Sequence, residues 1–169
     1  MSVVGIDLRQ HGFDVLWTDE SKRETPALVA FNEKQRFIGI AASASFTVNP
    51  KNTIVQIKRS IGHLYCDPEV HQDIRNLPFS ITKGPNGSPL PHVQYLREAR
   101  SFSPAEVVGM VLSSLKGSAE KNLQTHVTDC VIGISIFFKE IQRHAVLDAT
   151  AIPGLCPLRL MHELTTPLP

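Results

Sequence analysis

Residues 129–162 read as strand, helix, strand, and that order leaves few folds open. Asp129–Ile136 (DCVIGISI) is a nearly continuous apolar run, as a strand covered on both faces must be. Lys139 to about Ala151 is expected to be a helix, with Ile141, Ala145 and Ala149 on one stripe, and Pro153-Gly154 breaks it. Leu158–Met161 is the next short strand. Two parallel strands need a crossover of this length, so the unit predicts a layered α/β domain.

The rest of the chain fits around that unit. Ser2–Leu8 (SVVGIDL) is a second buried-strand pattern. Gln10-His11-Gly12 supplies a turn, Phe13–Trp17 alternates as a strand, and Ala27–Phe31 is another short strand. Asn52 is placed to cap a helix over Thr53–Ile61 that Gly62 would end. His71–Asn76 is weakly helical, and Leu77–Thr82 is strand-like. Lys83–Pro91 (KGPNGSPLP) is a surface turn, with Val93–Leu96 as the returning strand. Ser103-Pro104-Ala105-Glu106 combines serine at N-cap, proline at N1 and glutamate at N3. It predicts a helix to about Asn122 with Val107, Met110, Val111 and Leu115 inside.

Composition narrows the class of function. The chain has 169 residues, a hydrophobic fraction of 42%, a charged fraction of 20% and a net charge of +1. This suits a single folded domain and gives no charge-based case for a nucleic-acid or membrane surface. No apolar run approaches the roughly 18 residues of a membrane span, and the N-terminus lacks a basic leader. The expected location is the cytoplasm, with the nucleus as a second compartment. Cys66, Cys130 and Cys156 form no C-x-x-C pair and are expected to be buried, reduced thiols. The seven histidines have no metal-ligand spacing.

Two acids follow apolar strands closely, Asp7 and Glu163. In α/β sheets ligands gather at the carboxyl ends of strands, where such acids could hold the waters around Mg²⁺. The plainer alternative is a solvated loop acid or a helix cap. Lys58 falls beside the stripe of Ile54, Ile57 and Ile61, so it either snorkels to water or reaches a buried anion. Arg59 lies off that stripe and could simply be solvated. The chain has no G-x-x-x-x-G-K-[ST] loop, no G-x-G-x-x-G and no G-x-S-x-G elbow.

Longer segments carry more. VVGIDL, TDESKRETPALVAF, QRFIGIAASASFTVNPKNTIVQIKRSIG, FSPAEVVGMVLSSLKGSAEKNL and VTDCVIGISIFFKEIQRHAVLDATAIPGLCPLRLMHE occur in that order. Together they resemble the ATPase domain of the heat shock 70 superfamily, most of all its large heat shock 110 kDa branch. The resemblance implies the first lobe of an actin-like, ribonuclease H-like fold, a mixed sheet with flanking helices. It implies ATP or ADP with Mg²⁺ as ligand. By resemblance Asp7 is the strand-end aspartate near the metal, and Lys58 is the lysine that approaches the γ-phosphate and attacking water. Arg59 is its companion, and Glu163 helps place the metal's waters. No side chain is expected to ligate the metal directly. Ser135 stands where the family has its switch proline, and Arg143 resembles that proline's partner arginine.

Departures from the family pattern set the expectations for function. After Leu8 the phosphate-cradling hairpin loop and most of the following strand are expected to be lost, about ten residues by the needs of a two-strand hairpin. The chain stops at HELTTPLP, before the family's second phosphate loop, second lobe and peptide-binding domain. Residues 1–169 are therefore expected to be a truncated N-terminal lobe with a vestigial ATP half-site and no ATPase activity. The family role is ATP-dependent folding assistance and nucleotide exchange. The alternatives are a module that docks on heat shock 70 chaperones without nucleotide, or a product with no function.

Overall fold

The computed structural model describes residues 2–8, 12–16 and 25–162. A five-stranded sheet forms its base, built from β1 (Ser2–Leu8), β2 (Gly12–Leu16), β3 (Thr25–Pro26), β10 (Val127–Ile134) and β11 (Cys156–His162). Its spatial order is β11-β10-β1-β2-β3. β1 runs parallel to β10 and β10 parallel to β11, as the strand–helix–strand reading requires. β1 and β2 pair antiparallel from Gly5↔Leu16 to Leu8↔Phe13. A strand, β2, does follow Leu8 in register with β1, and Thr25–Pro26 pairs with it as β3. The loop residues 9–11, on which the loss of the phosphate-cradling hairpin was expected, lie outside the described residues, as does Trp17.

Two helices pack this sheet. α3 (Pro104–Leu123) begins as the sequence predicts: Glu106 N donates to Ser103 Oγ at 3.2 Å, and Ser103 N donates to Glu106 Oε2 at 2.6 Å. A capping serine of this kind contributes about 1 kcal/mol. Val107, Met110, Val111 and Leu115 are all buried, with Val108, Leu112 and Ala119 beside them. α4 (Glu140–Ala151) forms the crossover between β10 and β11. Its buried residues are Gln142, Val146, Ala149 and Thr150, so the inward stripe is turned from the expected one and Ile141 is exposed. α3 and α4 approach closely at Gly109, where a Cβ would sit 2.6 Å from Ile152 Cδ1. β11 carries a register shift, so its side chains do not alternate cleanly.

An upper part stands on this base. β4 (Val29–Phe31) pairs with β5 (Arg36–Ile38) and β6 (Thr53–Ile54), flanked by α1 (Ile40–Val48). β7 (Ile81–Lys83), β8 (Pro89–Tyr95) and β9 (Glu98–Ser101) form a second small sheet, preceded by α2 (Pro68–Asn76). β8 begins inside the stretch read as a turn. It tolerates Pro89 and Pro91 because that half pairs only with β7, and β9 joins from His92 onward.

The helix expected over Thr53–Ile61 does not form. Thr53–Ile54 is strand β6, Gln56 takes a left-handed conformation (φ 55°), and only Ile57–Arg59 makes a 3-10 turn. Asn52 caps nothing: its Oδ1 accepts from Gln94 N on β8 at 2.8 Å. Ile54, Ile57 and Ile61 are all buried as expected, but through strand and turn rather than helical periodicity. The cysteine expectation also needs correction. Cys130 is buried, and burial pushes its thiol up to about 11, whereas Cys66 and Cys156 are exposed.

Candidate functional site

The carboxyl ends of β1 and β10 lie side by side, and Asp7 is there. Val4, Ile6 and Leu8 point to one side of β1 and are buried in the core, as are Cys130, Ile132 and Ile134 of β10. Period-two alternation puts Asp7 on the opposite face. Asp7 is nevertheless only 2% exposed. Its register partner is Gly133, whose partner on the other side is Met161 of β11. A Cβ on Gly133 would sit 2.8 Å from Asp7 Oδ1, so the glycine keeps the space beside the carboxylate. Glu163 would follow two residues after Met161, but it lies outside the described residues.

Lys58 and Arg59 share the 3-10 turn but not an environment. Lys58 is 9% exposed and follows the buried Ile57 in this turn, which packs against α3. Arg59 Nε lies 2.9 Å from Asp73 Oδ2 of α2, and its side chain is half-exposed. Arg59 is therefore not simply solvated. It ties the turn to α2.

Ser135 and Arg143 do meet on one loop. Ser135 lies just past the end of β10, and its carbonyl accepts from Phe138 N at 3.1 Å. Arg143 Nε donates to the Phe138 carbonyl at 3.3 Å. Both thus brace the same turn between β10 and α4.

A clasp that sequence reasoning did not single out seats the Lys58 segment on α4. Gln142 Oε1 accepts from Lys139 N at 2.8 Å, which leaves its amide nitrogen facing His63 Nε2 at 2.9 Å. His63 Nε2 must therefore accept, and its Nδ1–H donates to Asp67 Oδ2 at 3.2 Å. Asp67 also accepts from Leu64 N at 3.0 Å, and these two donors, the backbone one first, hold its carboxyl below the usual range. Gly62 (φ +67°) makes the approach possible, since a Cβ there would lie 2.5 Å from Gln142 Cα. Nothing in the local sequence marks His63 and Gln142 as partners. Gly133 did carry a signal, a glycine inside a strand pattern.

A mixed sheet in this strand order with its flanking helices fits the first lobe of the actin-like ATPase fold. The family model for the Hsp70 protein matches residues 1–167, and the chain belongs to that family. It is 58% identical to heat shock 70 kDa protein 14 of Arabidopsis thaliana, over 98% of this chain and 21% of that protein. It is 40% identical to human heat shock 70 kDa protein 4 and 38% identical to a 97 kDa heat shock protein of the sea urchin Strongylocentrotus purpuratus. Each of these alignments covers 98% of this chain. The chain spans about a fifth of the length of these relatives.

Proposed function

We propose that residues 1–169 form the N-terminal lobe of a heat shock 70/110-type nucleotide-binding domain and present the phosphate-facing half of its ATP site. The observation that carries this reading is Asp7: a carboxylate 2% exposed at a strand end, with its space kept by Gly133. An acid at the carboxyl end of a strand in an α/β sheet suits a site that holds the waters of a hydrated Mg²⁺. Glu163 would be the second acid there, on the strength of its place in the sequence. Lys58 would face the γ-phosphate, on the strength of its place in the sequence. When bound, Mg²⁺ would neutralise charge on the phosphate oxygens. Arg59 would act at one remove, holding the Lys58 turn through Asp73. Ser135 would weaken the switch, since serine neither fixes φ nor removes an N–H as proline does.

Phosphoryl transfer in such sites depends on positioning and electrostatics around the whole triphosphate. Good ligand sites bury roughly 70–90% of the ligand surface, and one lobe covers only one side of a cleft. The purified 169-residue chain is therefore expected to hydrolyse ATP no faster than buffer in a steady-state assay. Turnover that disappears in Lys58→Ala would mean that the chain completes a working site by itself, and this reading would be wrong.

A further inference from the structure

The tip of the β7–β8 hairpin carries Asn86-Gly87, and we propose that it is a self-modifying site at which Asn86 converts to aspartate and isoaspartate without an enzyme. The chemistry needs only water. Gly87 N attacks Asn86 Cγ and loses its proton to solvent, and the carboxamide nitrogen leaves as ammonia. The five-membered succinimide that results takes up water at either carbonyl, and the ring opens to aspartate or to isoaspartate, in which the chain runs through Cβ. Nothing is oxidised or reduced.

Three observations select Asn86 among the six asparagines. It alone precedes glycine; Asn32, Asn49, Asn52, Asn76 and Asn122 precede Glu33, Pro50, Thr53, Leu77 and Leu123, whose side chains or ring obstruct the attacking nitrogen. It is exposed, so ammonia can leave and water can enter. It also sits in a turn rather than a ladder, followed by Gly87 at φ +76°, a conformation only glycine adopts at no cost. Gly87 N donates to the Gly84 carbonyl at 3.0 Å, so the turn must open once for the attack, and loop tips open most readily.

The change would be felt beyond the hairpin. The Gly87 carbonyl accepts from Tyr65 N at 2.7 Å, and Leu64 packs against Gly87. An isoaspartyl link inserts a methylene into the backbone one residue before that carbonyl. It would loosen the 63–67 segment, which carries the His63–Asp67 half of the clasp on α4.

The test is to age the purified chain at neutral pH and body temperature and follow tryptic peptides by mass spectrometry. Residues 84–97 form one peptide, with Asn86 as its only asparagine. That peptide is expected to gain one mass unit, to accept methyl groups from an isoaspartyl methyltransferase, and to convert faster than every other asparagine peptide, since the glycine leaves the attacking nitrogen unhindered. Asn86→Gln, an exposed and fold-neutral change, is expected to abolish the gain, because a six-membered ring closes far more slowly. Conversion no faster than at the other asparagines would overturn the proposal. So would an equal mass gain in Asn86→Gln, which would show that it does not arise from the Asn86–Gly87 succinimide.

Discussion

Phe31→Ala is expected to destabilise the protein by about 3–5 kcal/mol, the usual cost of emptying a large aromatic site. Phe31 is 2% exposed and ends strand β4. Its ring stacks on Phe102 with centroids 4.9 Å apart and meets Tyr95 edge-on at 5.3 Å. Those partners come from β8 and from the residue just before the α3 cap, so one ring joins the upper sheet, the hairpin sheet and the long helix. Urea unfolding of the wild type and the variant measures the loss. A cost below about 1 kcal/mol would mean that the three elements are not held through this ring.

The second large effect is expected at Gly62. A residue with a side chain pays about 1–2 kcal/mol for the left-handed conformation there. It also meets α4 backbone: a Cβ would lie 2.5 Å from Gln142 Cα and 2.8 Å from Gln142 N. Overpacking against atoms that cannot rotate away costs a further 1–3 kcal/mol or so. Gly62→Ala should therefore lose about 2–5 kcal/mol and detach the His63–Gln142 contact. Gly117→Ala is the matched comparison. Its Cβ would meet nothing within 4 Å, so in mid-helix it should stabilise by about 1 kcal/mol. Equal melting temperatures for the two variants would show that the close approach to α4 is not formed in solution.

What could be read from the sequence divides along the range of the interactions involved. The α3 start was legible because the capping box lies within four consecutive residues. β1 and β10 were legible because strands covered on both faces must be apolar throughout. The 53–61 segment was misread because Ile54, Ile57 and Ile61 have helical spacing, while the deciding contact, Asn52 to Gln94, spans 42 residues. β5 and α1 carried no local signal. α1 starts at Gly39 without a side-chain cap, and it buries only Ala42 of nine residues. Ile141 was assigned inward because its spacing with Ala145 and Ala149 is right, but Gln142 takes that place through His63. At the candidate site, the strand-end position of Asp7 was readable, and so was the alignment of Lys58 with the apolar stripe. The burial of Asp7 against Gly133 was not, since register between β1 and β10 depends on residues more than a hundred positions apart.

The half-site reading is tested most directly by thermal melts of the 169-residue chain with and without millimolar Mg-ATP, repeated on Lys58→Ala. A ligand that binds only the folded state raises its stability by RT ln(1 + [L]/Kd), about 0.4 kcal/mol when ligand equals Kd. The account predicts one cooperative transition that moves upward with Mg-ATP in the wild type and does not move in Lys58→Ala. An unmoved wild-type transition, or an equal shift in both proteins, would contradict it.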